Sequence, residues 1–149
     1  MTCQNITRHR AENWHENVDP ENFAWISIGE PDIPDSIINN RILDKLPHLK
    51  LSFWDCTEEI VDIMGDTYLP PNQQDAAKIL DFLVKNRGKN FIVNCKAGKS
   101  RSGAICKFLE ECLDYEWING KDRARPNVLL YKLLKQEFDY SEENSSSIL

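Results

Sequence analysis

At 149 residues, 41% of them hydrophobic and 28% charged, the chain is long enough to bury about two-thirds of its unfolded surface in a single compact domain, and a disordered polypeptide is excluded. The 18 lysines and arginines against 24 aspartates and glutamates leave a net charge of −6, so no nucleic acid and no anionic membrane is expected as a partner. No apolar run approaches the roughly 18 residues that a membrane-spanning helix requires.

The amino terminus (MTCQNITRHRAENWHE) is polar and lacks the apolar segment of a secretory signal, which makes the cytoplasm the expected location. The five cysteines, at positions 3, 56, 95, 106 and 112, are widely spread without a C-x-x-C pair. Reduced thiols are expected, rather than a disulfide framework or a zinc site. The glycosylation-like triplets at Asn5 and Asn144 are then chance matches. His9, His15 and His48 are too scattered to build a metal site, and no metal or other cofactor is expected.

Residues 1–22 are polar and end at Asp19-Pro20, and they read as a loosely held extension. Phe23–Ile28 (FAWISI) is aromatic and β-branched and stops at Gly29-Glu30-Pro31, which predicts a strand. Isolated apolar positions over 35–47 suggest a short helix, and the alternation of His48–Trp54 predicts a second strand before Asp55. From Asp55 to Pro71 the chain is acidic and predicted to be an irregular, mobile loop, with Leu69-Pro70-Pro71 opposing regular pairing. Asn72 and Asp75 cap a helix whose apolar positions Ala76, Ile79, Leu80 and Leu83 follow the 3,4 spacing and which Gly88 ends. Phe91-Ile92-Val93 is the kind of short apolar run found in a strand covered on both faces. A glycine-bearing loop follows, and then a helix with apolar Ala104, Ile105, Phe108, Leu109, Cys112 and Leu113. The last helix is predicted to start near Pro126 and to run toward Phe138, leaving 141–149 as a serine-rich flexible tail. This order predicts an α/β domain over 23–140, with a central, mostly parallel sheet flanked by helices on both faces.

The chemistry concentrates in Asn94-Cys95-Lys96-Ala97-Gly98-Lys99-Ser100-Arg101-Ser102-Gly103. A loop between a strand end and a helix amino terminus can converge its backbone N–H groups on one tetrahedral oxyanion, with the helix dipole adding positive potential. Gly98 permits a turn that a side chain would obstruct. Helix amino ends and nearby cations favour the thiolate of a cysteine so placed, here Cys95. The planar fork of Arg101 can hold two oxygens of a phosphoryl group, which lysine cannot reproduce. Lys96, Ala97, Gly98, Lys99, Ser100 and Arg101 are the predicted phosphate-binding residues.

This C-x5-R loop with a following serine resembles the signature of the cysteine-based protein tyrosine and dual-specificity phosphatases, whose more usual form is H-C-x-A-G-x-S-R-S. Asn94 replaces the histidine; it can hydrogen-bond but carries no charge. The resemblance extends from about Trp25 to Phe138, through Phe53-Trp54-Asp55, the helix Gln73–Asn86 and Ala124-Arg125-Pro126-Asn127, and is greatest to small bacterial and phage-type members. It implies a hydrolase of phosphomonoesters, expected as a monomer acting on a phosphorylated protein substrate, on phosphotyrosine and also on phosphoserine or phosphothreonine; pocket depth, which the sequence does not give, decides between these and a lipid or an RNA 5′ phosphate. It further implies Cys95 as nucleophile, Arg101 as transition-state clamp, Ser102 as hydrogen-bond donor to the sulfur, and an aspartate on a separate loop as general acid. Asp55, just past a strand end, is the first choice for that acid, ahead of Asp66 and then Asp62.

Other readings compete. Gly98-Lys99-Ser100 echoes a nucleotide-binding loop, but Val93 stands where its first glycine belongs. Cys56 is either a bystander or a partner for Cys95 under oxidation. Trp54 and Tyr68 either stack on a phosphorylated ring or merely cover the core. A catalytically weak or silent phosphoprotein-binding module of the same fold remains the alternative to an enzyme.

Overall fold

The computed structural model describes residues 1–32 and 41–148. Its elements follow in the order β1 (Thr2–Thr7), α1 (Arg8–Glu12), β2 (Phe23–Gly29), α2 (Arg41–Asp44), β3 (His48–Ser52), β4 (Ile60–Val61), β5 (Thr67–Tyr68), α3 (Gln73–Lys85), β6 (Asn90–Cys95), α4 (Arg101–Leu113), β7 (Glu116–Trp117) and α5 (Val128–Ile148). Five strands form one sheet in the order β3-β2-β6-β1-β7, with every neighbouring pair parallel. This is the expected α/β architecture.

Strand alternation sends side chains to two separate cores. Ala24, Ile26 and Ile28 of β2 and Phe91, Val93 and Cys95 of β6 face the core formed with α3, α4 and α5. Trp25 and Ile92, from the same strands, pack with Ala11, Trp14, Leu43 and Leu46 on the opposite face. Helix α3 forms where its spacing predicts, closed at its start by reciprocal hydrogen bonds between Asn72 and Asp75. Of the short helix expected over 35–47, Arg41–Asp44 is helical and 45–47 is not, and positions 35–40 lie outside the described residues.

Three expectations are corrected. Residues 1–22 are not an extension: Thr2–Thr7 forms an interior strand of the sheet, registered from Cys3 opposite Phe91 to Thr7 opposite Cys95, with β7 on its other side. Its polar composition hides this, because Asn5 is fully buried yet bonded on both ends of its amide. Residues 55–71 are not irregular throughout, since β4 and β5 pair antiparallel with Ile60 opposite Tyr68. Asp62 organises the turn between them by accepting from the amides of Met64 and Asp66, each at 2.9 Å. The carboxy-terminal residues expected as a tail continue α5 as far as Ile148.

The place of β1 in the sheet sets a stability prediction. Ile6 is fully buried, so Ile6→Ala is expected to cost about 2–5 kcal/mol in urea unfolding, the usual range for truncating a core isoleucine. A cost within about 0.5 kcal/mol, ordinary for a surface position, would mean that this segment does not belong to the sheet.

Candidate active site

The carboxyl ends of β1, β2, β3 and β6 converge on one edge of the sheet, where parallel α/β folds place ligands. Cys95 ends β6, 2% exposed, and Arg101 opens α4, 3% exposed. The five residues between them form the loop read from sequence.

That loop is held by its carbonyls. The Lys96 carbonyl accepts from the Arg8 amide at 3.2 Å, the Lys99 carbonyl from the Arg125 amide at 3.0 Å, and the Ser100 carbonyl from the Asn127 amide at 3.0 Å. Asn5 Nδ2 donates to the Gly98 carbonyl at 2.8 Å. A trans peptide directs its N–H opposite to its C=O, so the next amides, those of Ala97, Lys99, Ser100 and Arg101, are turned away from these anchors. The amides of Ala97, Lys99 and Ser100 donate to no backbone carbonyl among the described residues. Such a set of convergent free donors is a nest for an anion.

Gly98 is the residue that allows the close approach. Its φ is +65°, and a Cβ there would lie 2.5 Å from the backbone carbon of Ile6. Asn5, fully buried on the same strand, also accepts from Trp117 Nε1 at 2.8 Å. The amino-terminal strand therefore serves as the backing of the loop.

Arg101 is clamped from three sides. One terminal nitrogen donates to the Phe53 carbonyl at 2.8 Å and to the Gly29 carbonyl at 3.3 Å, and the other donates to Glu30 Oε1 at 3.0 Å. Its Nε is buried with no hydrogen-bond partner, a donor left for a ligand. Glu30 also pairs through Oε2 with Arg8. Burial alone raises the Glu30 carboxyl, but the hydrogen bonds and charges of Arg8 and Arg101 outweigh it and hold the group below its ordinary value.

Cys95 Sγ lies 3.1 Å from Ser102 Oγ, and Ser102 is fully buried. Asp55 stands across the opening, its Oδ1 accepting from Ser100 Oγ at 2.7 Å and from Asn127 Nδ2 at 2.9 Å. Asn127 is itself fixed, accepting at Oδ1 from the Leu130 amide at the start of α5. A cavity of about 310 Å³ joins these groups, floored by Cys95, Ala97 and Arg101 and walled by Trp54, Ile60 and Tyr68.

The chain is similar to the crystal structure of PTPMT1 in complex with PI(5)P, at 17% identity and a TM-score of 0.48 over 99% of this chain and 95% of that chain. No family model and no curated protein sequence matches it.

The structure brings Cys95, Arg101 and Asp55 around one cavity, with Ser102 buried behind the Cys95 sulfur. The Ser100 hydroxyl turns to Asp55 and leaves its amide to the bowl. Of the rival acids, Asp62 is spent on its turn and on the Tyr68 hydroxyl at 2.8 Å, which holds its carboxyl below the usual range, and Asp66 lines a separate hollow with Pro31 and Thr67. Lys96 and Lys99 are exposed and form no ion pair among the described residues. Cys56 shares the cavity wall, and both its thiol and that of Cys95 are free. Burial raises the Cys56 thiol above its ordinary value. Asn94 is buried and accepts from Trp25 Nε1 at 2.8 Å. Trp54 and Tyr68 meet edge to face at 4.7 Å.

The sequence reading gives no site role to Asn5, Arg8, Glu30 or Asn127, although Asn127 lies in the stretch Ala124-Arg125-Pro126-Asn127 that carries part of the resemblance. Each reaches the site from a distant segment, and the only local signal was the placement of Glu30 at a strand end and Asn127 at a helix start.

Gly98→Ala is expected to weaken inorganic phosphate and vanadate binding by at least about tenfold, because the loop must move off β1 to relieve a contact with rigid backbone and a positive φ. Competition titration reads this directly, and unchanged affinity would show that the loop does not form the bowl. A second prediction concerns acid stability. A carboxyl depressed in the folded state contributes stability above its ordinary value of 4.5, and that contribution is lost as pH falls through the depressed value. Glu30→Gln should therefore flatten the fall of stability below pH 4.5. At neutral pH it should cost about 3–5 kcal/mol, the usual price of breaking a buried ion pair, with chemical unfolding across pH as the measurement.

Proposed function

We propose that the protein is a cysteine-dependent phosphatase that hydrolyses phosphotyrosine on protein substrates, with phosphoserine and phosphothreonine also within its range. The observation that carries this reading is the placement of one sulfur, Cys95 Sγ, beneath free loop amides, 3.1 Å from Ser102 Oγ, with the Arg101 fork and the Asp55 carboxyl opening onto the same cavity.

In the first step the Cys95 thiolate attacks phosphorus in line. The S–P bond forms as the ester P–O bond breaks, and Asp55 gives its proton to the departing oxygen. The amides of the bowl and the guanidinium of Arg101 carry the charge on the three equatorial oxygens. In the second step Asp55, now ionised, takes a proton from water. The water oxygen attacks phosphorus, the P–S bond breaks, and the hydrogen bond from Ser102 stabilises the leaving thiolate. Inorganic phosphate is the product and the enzyme is restored.

Asn127 and Ser100 act here as positioning residues. Both hold one oxygen of Asp55 and leave the other for the proton transfer. Trp54 and Tyr68 supply apolar wall for an aromatic leaving group.

Cys95→Ser is expected to abolish hydrolysis of para-nitrophenyl phosphate while retaining phosphate binding. If wild type and C95S are equally inactive yet both bind, the chain is a phosphate-binding module and the enzymatic reading falls. Asp55→Asn separates the acid from the nucleophile: the loss of kcat should be about 10²–10⁴-fold for phenyl phosphate. It should be smaller for para-nitrophenyl phosphate, whose leaving group needs less protonation. Equal losses on both would remove Asp55 from the acid role.

A further inference from the structure

We propose that the β4–β5 hairpin is a docking ridge for the polypeptide that carries the phosphate, one with cationic and apolar residues flanking the phosphorylated side chain. This rests on the phosphatase reading above and adds to it the chemistry of the substrate beyond the phosphoryl group.

The exposed apolar surface of the described residues is concentrated at this ridge. Ile60 is 45% exposed, Val61 62%, Ile63 101%, Met64 82% and Leu69 57%. A single exposed aliphatic residue is ordinary, whereas five within ten consecutive positions form a patch of the kind that marks an interaction surface. The ridge is also built to stay in place. Tyr68 packs edge-on against Trp54 and donates to Asp62, and the Trp54 amide donates to the Leu69 carbonyl at 3.2 Å.

Its foot is the wall of the cavity. Ile60 and its cross-strand partner Tyr68 both line the space above Cys95, so the ridge lies beside the path of a chain whose phosphorylated side chain enters that space.

The charge of the ridge selects the partner. From Leu51 to Ala77 the sequence holds Asp55, Glu58, Glu59, Asp62, Asp66 and Asp75 and no lysine, arginine or histidine. Glu58, Glu59 and Asp66 are exposed. Across the cavity, by contrast, the loop presents exposed Lys96 and Lys99. The surface is thus bipolar: a basic bowl receives the phosphate and an acidic, apolar-tipped ridge lies beside it. An anionic bilayer or a nucleic acid would meet like charge at the ridge, while a basic and apolar polypeptide segment meets complementary charge there.

The test compares para-nitrophenyl phosphate with two phosphotyrosine peptides of equal length, one flanked by lysine and leucine and one by glutamate and serine, using wild type and the double variant Ile63→Ser/Met64→Ser. Wild type is expected to favour the lysine–leucine peptide by about tenfold in kcat/KM, the yield of a few surface contacts. The double variant should lose most of that preference with unchanged turnover of para-nitrophenyl phosphate. Anisotropy of the same labelled peptides on Cys95→Ser, with and without the ridge substitutions, gives the same comparison without turnover. If wild type is inactive on every ester, the phosphatase reading fails while the ridge is still judged by binding. Equal affinity for both peptides, or a preference the ridge substitutions leave intact, overturns the proposal. So does ridge-dependent retention on vesicles rich in phosphatidylserine, or ridge-dependent dimerisation in sedimentation.

Discussion

A peptide unit can turn its amide into a cavity only if something behind it accepts the outward turn of its carbonyl, and that constraint organises this protein. Four carbonyls between Cys95 and Arg101 are bonded from behind, by Arg8, Asn5, Arg125 and Asn127. The donors come from both ends of the chain. The amino-terminal strand and its junction with α1 hold one side of the loop, and the segment leading into α5 holds the other. A bowl of convergent amides would be unfavourable in isolation, because its dipoles repel one another; anchoring the carbonyls makes it the form in which buried polar groups are best satisfied.

The same segments place the charged groups. Glu30 follows β2 directly, where it can bond Arg101 with one oxygen and Arg8 with the other, so the guanidinium of α4 is fixed by a carboxylate rather than left to swing into the cavity. The Phe53 and Gly29 carbonyls take up another of its nitrogens, leaving Nε unpartnered. Two guanidiniums sharing one buried carboxylate keep net positive charge beside the sulfur. Asn127 performs the parallel task opposite, capping the first turn of α5 with its oxygen and holding Asp55 with its nitrogen. Helix start, acid and loop are thereby coupled through one side chain.

Apolar packing gives this arrangement its rigidity. The loop is suspended between a strand buried on both faces and a helix whose first six residues are all buried. Gly98 sits so close to the backbone of Ile6 that loop and strand behave as one body. The hairpin, with few buried contacts and an exposed apolar tip, is the part of the site free to meet a partner.

Local pattern was enough for α3, α4 and the start of α5 and for three of the five strands of the sheet. The Asn72–Asp75 cap, the 3,4 spacing after it, the aromatic run at Phe23 and the apolar run at Phe91 each state their element because period and capping are properties of neighbouring residues. The loop from Cys95 to Ser102 was legible for the same reason, since its cysteine, glycine, arginine and serine are near in sequence. What the tertiary structure alone decided is what bonds across distance. A polar stretch, Thr2–Thr7, became an interior strand because the amide of Asn5 found partners more than 90 residues away. The sequence ranks Asp55 ahead of Asp66 and Asp62 by its place at a strand end, but that its carboxyl meets Ser100 and Asn127 beside the cavity is a matter of tertiary packing. Glu30 acquired its task from Arg8 and Arg101, neither adjacent to it in the chain. Burial of a polar group is favourable only when its partner arrives, and the identity of that partner is set by the packing of strands and helices rather than by the residues on either side.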